Sequence, residues 1–367
     1  MMDACGDCLR RSWLLGMLSG PLGYPSGRRR LLELLALGDE QLIQAIGGGR
    51  RKDLRERYAR FEPRDIRWSA GVEAICRHHR GYPQALAGDG APRMLYVAAP
   101  AQRLEELGAQ PAVAIVGSRR ATDYGMEMAR SLARGLAASG VAITGGLADG
   151  IAVAAQEGAL EAQGNVLAVM DGGLDVACPA RRYALYQRLR KVGCPVAELP
   201  PDCDARRWGY IACERIVVGM AQLTIVVEAD EGPRELLGAR IAKALGRTVA
   251  AVPGRVTSPV SRGTHALLME GAALVRGPKD ALDLLYKGNA AQGMIRMPKA
   301  IQLEPRLKAT LERVGAGRDT PAKLTAGSAD AGAVLLALSE LELMGLLTRG
   351  DGDRYVPRES LAGGAPL

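Results

Sequence analysis

The sequence predicts an α/β protein: a parallel β-sheet with helices on both faces, a helical N-terminal domain and a C-terminal winged-helix-like domain. From about residue 111, short apolar segments alternate with helical segments, and repeated βα units of this kind form parallel sheets. The apolar segments, such as 112–116, are apolar throughout, which is typical of strands buried on both faces.

These patterns divide the chain into four parts. The helical N-terminal domain is assigned to residues 1–60, the sheet core to 61–288, a linker to 289–302 and the winged-helix-like domain to 303–367. A chain of 367 residues is long enough for two or three domains. Hydrophobic residues make up 48% of it, which is sufficient for sizeable cores.

The first 110 residues are predicted to contain short helices and little sheet. Leucines cluster in 31–37, a second apolar segment covers 42–46, and Gly47 to Gly49 end that helix. The segment 61–110 is rich in turn residues. Within it, 94–98 is predicted to be a short strand.

Strand 112–116 begins the core. Thr122 is a suitable N-cap for a helix that runs to Ser139, and Gly140 ends this helix. The later predicted strands are 141–144, 166–170, 195–198, 223–228, 248–252 and 272–276. The later predicted helices are 150–163, 183–191, 209–221, 235–245, 264–270 and 279–285.

The C-terminal segment has the pattern of a winged helix. Residues 303–314 are predicted to form a helix, Thr320-Pro321 to begin a second, and Ser328 to cap a third. The segments 346–349 and 354–356 flank a Gly-rich turn, which predicts a hairpin.

The net charge is mildly basic and diffuse. The chain has 48 Lys and Arg against 40 Asp and Glu, a net charge of +8, but residues 111–290 contribute 21 basic and 18 acidic groups, or +3. An anionic partner is therefore permitted rather than demonstrated. No apolar run reaches 18 residues and the N-terminus does not resemble a signal peptide, so we expect a cytoplasmic protein without membrane association.

The cysteines indicate a reduced protein without a metal site. There are seven, an odd number, which does not suit a disulfide framework. Cys5 and Cys8 form a lone CxxC pair in a predicted terminal tail. A zinc site needs four ligands, and we find neither a second pair at suitable spacing nor a histidine cluster. We expect no metal and no cofactor.

Three Gly-bearing loops follow consecutive predicted parallel strands. They are Gly117-Ser118-Arg119, Gly145-Gly146 and Gly172-Gly173, and parallel strands place such loops at one edge of the sheet. Glycine lets a ligand approach the backbone, helix N-termini attract anions and Arg119 adds a charged donor. The set favours an anion site, with purely structural turns as the alternative.

Several enzyme classes are disfavoured by missing motifs. The loop after the first core strand lacks the GxGxxG fingerprint of NAD binding, and neither a P-loop nor a GxSxG elbow is present. Glu228 and Asp230 end a strand and could act as acids, but no nucleophile or histidine partner is evident. We therefore expect a binding protein rather than an enzyme.

The sequence resembles the family of the DNA-processing protein DprA, also called Smf, over about residues 80–286. The motifs that carry the resemblance occur in the family's order. They are Ala114–Arg120, Tyr124-Gly125, Gly146-Leu147-Ala148, Gly150-Ile151, Gly173-Leu174-Asp175, Glu198 with Pro200-Pro201, Val252-Pro253-Gly254 and Ser261–Thr264.

The resemblance implies an extended Rossmann-like core, usually dimeric, that binds single-stranded DNA, protects incoming DNA and loads the RecA recombinase during natural transformation. Arg119 would be the central phosphate ligand. The full set of expected DNA- or phosphate-binding residues is Gly117, Ser118, Arg119, Arg120, Gly145, Gly146, Gly150, Gly172, Gly173, Arg181, Arg182, Arg215, Arg234, Gly254, Arg255, Arg262, Gly263 and Thr264.

Three acidic residues depart from the family pattern. Asp149, Asp171 and Glu214 would place negative charge near a phosphate path, where a carboxylate repels DNA. The cations that could compensate are Arg181, Arg182, Arg234 and Arg255. The chain is either a divergent member that binds DNA or a paralogue with weakened binding.

Two other functions stay open. A Rossmann-type sensor or enzyme could use the same loops to hold the phosphate of a free nucleotide or nucleotide-sugar. Alternatively, the protein could be a scaffold whose winged helix recruits a partner while the central site is vestigial.

Overall fold

The computed structural model describes residues 2–22, 28–88, 91–175, 180–204, 207–232, 234–290, 304–315, 318–326, 330–343, 346–350 and 354–357. The chain forms two compact units, Met1–Gln292 and Gly293–Leu367. Their boundary lies inside the predicted linker 289–302, whereas residue 60 is not a boundary between compact units. None of the described helices is long and apolar enough to cross a membrane.

The first unit begins with a short strand and a group of helices: β1 (Met2–Asp3), α1 (Gly6–Met17), α2 (Ser19–Leu22), α3 (Arg28–Ala36), α4 (Asp39–Ile46) and α5 (Arg51–Ala59). The sheet region continues with β2 (Glu73–Cys76), β3 (Met94–Val97), α6 (Ala101–Gly108), β4 (Ala112–Val116), α7 (Asp123–Ala138), β5 (Ala142–Gly146), α8 (Ile151–Glu161), β6 (Val166–Val169), α9 (Ala180–Val192), β7 (Cys194–Ala197), α10 (Arg207–Gly219), β8 (Leu223–Val226), α11 (Leu237–Ala244), β9 (Thr248–Ala251), α12 (Arg262–Met269), β10 (Ala273–Leu274) and α13 (Pro278–Ala290).

The described strands of this unit form one ten-stranded sheet in the order β1-β2-β3-β7-β6-β5-β4-β8-β9-β10. Along this order, every pair of adjacent strands from β7 to β10 is parallel. The sequence predicted a parallel sheet. The observed sheet is instead mixed, because β3 runs antiparallel to both β2 and β7. Strands β2 and β3 are joined without a crossover helix, and antiparallel pairing does not require one.

The direction in which the sheet is built reverses at β4. The chain proceeds from β4 through β5 and β6 to β7 on one side, then places β8, β9 and β10 on the other. In open α/β sheets, the loops diverge beyond the carboxyl ends of the strands at such a point, and ligands bind in the crevice between them. We use the term carboxyl edge for the loops that follow β4, β5, β6, β8 and β9.

Helices cover both faces of the sheet, and β3 shows the alternation. Leu95 and Val97 belong to one hydrophobic cluster, while Tyr96 between them belongs to another, as successive strand residues point to opposite faces. The Tyr96 cluster includes Leu14 of α1 and Leu42 of α4. The N-terminal helices therefore share a core with the sheet.

The structure corrects the expectation that Cys5 and Cys8 lack further ligands. Cys76 at the end of β2 and His78 two residues later lie beside them, and the ligand atoms of all four residues are within 4.8 Å of one another. The segment is not a free tail, because β1 pairs with β2 and Cys8 is buried. Their separation in sequence concealed this proximity. We call Cys5, Cys8, Cys76 and His78 the Cys-His cluster.

The second unit contains α14 (Pro305–Gly315), α15 (Pro321–Thr325), α16 (Ala331–Leu343), β11 (Leu347–Gly350) and β12 (Arg354–Pro357). The two strands pair antiparallel. The Thr320 hydroxyl caps α15 as predicted, whereas the proposed cap Ser328 lies outside the described residues. Leu324, Leu338 and Leu341 belong to the core of this unit. The order of elements is that of the predicted winged helix, an assignment that stays a prediction.

Candidate nucleic-acid interface

The carboxyl edge collects arginines from several loops. Arg119 and Arg120 follow β4, Arg182 lies in the first turn of α9 after β6, and Arg234 follows β8. Two more, Arg255 and Arg262, follow β9. The five strands from β6 to β9 span four inter-strand spacings, or roughly 19 Å. Residues far apart in sequence are thereby placed along one side of the molecule.

Arg119 and Arg120 are the most available of these cations. Both side chains are exposed, and neither has a hydrogen bond or ion pair with any residue that the structure describes. Arg119 lines a cleft with Gly117, Gly146 and Asp171. The cleft lies between the loop after β4, the end of β5 and the residue that follows β6 by two positions, Asp171. Gly145 and Gly146, predicted to form a loop, instead belong to strand β5.

Ser118 has a different role from the one expected. Its side chain is 1% exposed, and its hydroxyl accepts a hydrogen bond from the Arg120 backbone N–H at 3.1 Å. The Ser118 N–H donates to the Glu228 carbonyl at 2.6 Å. Ser118 therefore holds the loop in shape beneath Arg119 and Arg120, and it presents no free hydroxyl to a ligand.

Gly150 allows two of the loops to touch. Its φ of 80° lies in the left-handed region, and a Cβ there would overlap the carbonyl oxygen of Ser118. The Ile151 N–H donates to this same oxygen at 3.2 Å. A side chain at residue 150 would therefore push the Arg119 loop away from α8.

Gly145 and Gly173 lie where other parts of the chain pack closely against the backbone. Gly145 faces Gln156, whose amide donates to the carbonyls of Gly145 and Gly146 at 3.0 and 2.7 Å. A Cβ at Gly173 would overlap the carbonyl oxygens of Pro200 and Pro201. Gly146 is in the cleft wall, and Gly172 is buried.

Arg182 compensates for one of the unexpected acids. Its guanidinium donates to the carbonyl of Leu147, and its Nε lies 3.5 Å from Asp149 Oδ1. The expectation of a compensating cation is therefore met at Asp149. The side chain of Arg181 lies outside the described residues.

Arg234 lies against the cleft through an aromatic ring. Its guanidinium carbon is 4.8 Å from the centre of the Tyr210 ring, and the Tyr210 hydroxyl donates to the Arg234 carbonyl at 3.1 Å. Tyr210 lines the cleft. The exposed Arg234 is thus positioned beside it by a cation–π contact.

The loop after β9 contributes two exposed arginines. Arg255 has no side-chain partner among the described residues, and Arg262 lies 3.9 Å from Asp230. Thr264 is fully buried and donates to the Ser261 carbonyl. A Cβ at Gly263 would approach the Asp230 carbonyl oxygen at 2.5 Å, and one at Gly254 would overlap the Ser261 hydroxyl. These three residues shape the loop.

Arg215 is placed away from the surface. Its side chain is 7% exposed, and its Nη2 donates to both carboxylate oxygens of Glu198, which is equally buried. A guanidinium in this position neutralises a buried carboxylate and is not available to a phosphate. We therefore leave Arg215 out of the proposed interface.

Residues 73–286 match the sequence profile of the family described as DNA recombination-mediator protein A. The chain belongs to this family. A protein of Mycobacterium tuberculosis that bears the name DNA processing protein DprA is 34% identical over 341 residues, which are 92% of this chain and 84% of that protein.

Two solved DprA structures are also similar. The crystal structure of DprA from Streptococcus pneumoniae matches with a TM-score of 0.60 and 26% identity, covering 75% of this chain and 96% of that one. DprA from Helicobacter pylori, whose structure was described for its single-stranded DNA binding mode, matches with a TM-score of 0.52 and 25% identity over 59% of this chain and 96% of that one.

Glu214, which departs from the pattern expected of DprA proteins, lines the cleft with Asp171. Desolvation raises the pKa of Glu214 to about 7. At pH 7, about half of the Glu214 carboxyl groups are therefore protonated and uncharged. Asp171 is exposed. The negative charge at this edge is accordingly smaller than three carboxylates would suggest.

Glu228, named above as a possible acid, is buried and hydrogen-bonded to the start of α7. It is 3% exposed, and its carboxylate accepts hydrogen bonds from the Thr122 N–H at 2.8 Å and the Thr122 hydroxyl at 2.6 Å. It thus fixes the first turn of α7, directly after the Arg119 loop. Gly125 faces this carboxylate, and a Cβ there would overlap it.

Sequence reasoning missed the aromatic residues of the edge. Tyr124 is 50% exposed and donates to the Pro253 carbonyl at 3.0 Å, and Tyr183 next to Arg182 is 57% exposed. Tyr210 contacts Arg234. The low aromatic content of 4% drew attention away from them. Of the three, only Tyr183 directly follows a basic residue, Arg182, and this was the available signal.

Proposed function

We propose that this DprA family member binds single-stranded DNA across its carboxyl edge. The observation that carries the proposal is the state of Arg119 and Arg120, which are exposed and unpaired with described residues on a loop held by buried groups. A guanidinium without an internal partner can bind a phosphate without first breaking an ion pair. The reported single-strand binding of the Helicobacter pylori relative supports the same ligand class.

The layout suits a strand backbone better than a small ligand. Arg119, Arg234, Arg255 and their neighbours are spread over several loops, so a strand could meet several cations in succession. The cleft itself has a volume of about 30 Å³, whereas pockets that enclose nucleotide-sized ligands occupy about 300–1,000 Å³. A free nucleotide would not fit inside it.

Exposed tyrosines give the edge a second type of contact. Tyr124 and Tyr183 present ring surface beside the arginines, and bases stack on such rings without sequence preference. We therefore propose binding that is largely electrostatic, tolerant of sequence and sensitive to salt.

We also propose that the protein acts as a homodimer and loads RecA, as the resemblance to DprA implies. The outermost strand β10 and its surroundings support a dimer: Met269 is 83% exposed, Leu245 52% and Leu274 48%. An edge strand with exposed apolar residues is a common site of self-association. Replacing Met269 and Leu274 by aspartate should convert the dimer to a monomer in light scattering, and an unchanged mass would remove this surface from consideration.

The decisive experiment measures binding of a fluorescent oligo-dT strand at several salt concentrations. Arg119→Ala should weaken binding about tenfold, or ~1.4 kcal/mol, and reduce the slope of log affinity against log salt by about 0.7. Arg64→Ala, which replaces an exposed arginine between α5 and β2, is the control. Equal affinities and slopes for Arg119→Ala and wild type would refute the proposed interface.

A further inference from the structure

The Cys-His cluster lies apart from the DNA interface. Strand β2, which carries Cys76, is separated from β4 by the strands β3, β7, β6 and β5. The cluster joins two parts of the chain: Cys5 is the N-cap of α1, Cys8 is in its first turn, and Cys76 and His78 follow from β2. The two parts are about 70 residues apart, since the Cys5 N–H meets Cys76 across 71 positions.

The distances within the cluster match those of a tetrahedral zinc site. Cys5 Sγ is 3.3 Å and Cys8 Sγ 3.5 Å from His78 Nδ1. With Zn–S bonds of about 2.3 Å and Zn–N bonds of about 2.0 Å, tetrahedral geometry places a sulfur and a nitrogen ligand about 3.5 Å apart. All four ligand atoms lie within 4.8 Å of one another, so small side-chain adjustments bring all four within bonding distance of one ion.

The surroundings of the ligands also suit a metal thiolate. Cys8 and Cys76 are 1% and 2% exposed, whereas Cys5 and His78 lie on the outside and leave an entry path. The Cys5 backbone N–H donates to Cys76 Sγ at 3.4 Å, the type of second-shell hydrogen bond that stabilises a ligating sulfur. Three thiols and one imidazole provide the soft donor set that zinc prefers.

We infer that Cys5, Cys8, Cys76 and His78 bind one structural zinc ion. Four protein ligands complete a tetrahedral shell and leave no position for a substrate, so the ion has no catalytic role. Its effect is to fasten the start of α1 to the end of β2, beside the short β1–β2 pairing. A Cys5–Cys8 disulfide is the competing state, but it would leave Cys76 and His78 without a role.

The test uses the full-length chain without a histidine tag, expressed with zinc in the medium and analysed for metal by mass spectrometry. Wild type should contain one zinc per chain. The double variant Cys5→Ser/His78→Ala removes two ligands whose side chains are exposed, so the fold should survive, and it should contain no stoichiometric zinc. Cys203→Ser, a cysteine outside the cluster, should retain one zinc.

Two further measurements keep the outcome decisive. Cobalt added to metal-free wild type should give the absorption bands of tetrahedral thiolate-bound cobalt, and the double variant should lack them. Chelation should lower the thermal unfolding midpoint of wild type but leave that of the double variant unchanged. Zinc-free wild type without a cobalt spectrum, a double variant with as much zinc as wild type, or a Cys5–Cys8 disulfide in protein purified without oxidant would each overturn the inference.

Discussion

Arg182 of α9 donates to the carbonyl of Leu147 and lies beside the carboxylate of Asp149, so one side chain links α9 to the loop that follows β5. The contact neutralises an acid at the edge where we propose that DNA binds. It also fastens this loop to α9. Substitutions at Arg182 and Asp149 can separate the effect of charge from the effect of the contact with the Leu147 carbonyl.

Arg182→Ala should weaken single-strand binding several-fold, because it removes a cation and leaves Asp149 without this counter-charge. The double variant Arg182→Ala/Asp149→Asn should recover part of the loss, with a coupling energy of about 0.5–3 kcal/mol. Fluorescence anisotropy on wild type, the two single variants and the double variant completes this double-mutant cycle. If the double variant recovered nothing, Arg182 would act on DNA independently of Asp149.

Gly150→Ala should destabilise the protein and impair DNA binding. The positive φ alone costs about 1–3 kcal/mol for a residue with a side chain, and overlap with the Ser118 carbonyl adds to this. Gly246→Ala is a matched control, because Gly246 also has a positive φ but no atom near a would-be Cβ. Urea unfolding should show the larger loss for Gly150→Ala, and the control should bind DNA as wild type does. Equal losses of stability and binding would contradict the loop contact.

DNA affinity should fall as the pH rises through about 7. Glu214, whose pKa is raised to about 7 by desolvation, is neutral below that value and becomes a carboxylate near the phosphate path above it. The same shift affects stability. The contribution of the Glu214 carboxyl group to the free energy of unfolding is greatest below its ordinary pKa of 4.5 and is lost as the pH rises through about 7.

Glu214→Gln should flatten the binding profile around pH 7 and the stability profile between about pH 4.5 and 7, whereas Glu231→Gln, which replaces an exposed acid after β8, should change neither. Binding titrations and thermal unfolding across this range check the prediction. A wild-type affinity that does not vary with pH would mean that the Glu214 carboxyl group does not face bound DNA.

Arg215→Ala should reduce stability by about 3–5 kcal/mol, because it leaves the Glu198 carboxylate buried without its partner. DNA affinity of the folded fraction should be unchanged. Arg215→Met/Glu198→Gln, which removes both charges, should regain much of the stability. Chemical unfolding measures the stability of these variants, and oligonucleotide titration measures their DNA affinity. If Arg215→Ala lost DNA affinity without losing stability, Arg215 would contact DNA directly.

The alternation of strands and helices could be predicted from sequence because it depends on neighbouring residues. The segment 112–116 is apolar throughout and is followed by the capping Thr122, and both features recur in β4 and α7. The parallel order of these units also placed the three Gly-bearing loops together. Strand β3 was predicted at 94–98, but its antiparallel pairing was not, since the partner of a strand is set by distant parts of the chain.

The βα succession, the family and the position of Arg119 near the Gly-bearing segments at one edge of the sheet all follow from local sequence patterns. Which of the expected site residues face outward depends on the three-dimensional fold: Ser118 and Arg215 are buried, while Arg119 is exposed. It also brought Cys76 and His78 to Cys5 and Cys8. The physical reason is the same in each case, because burial, ion pairing and ligand geometry arise from contacts between residues that are remote in the chain.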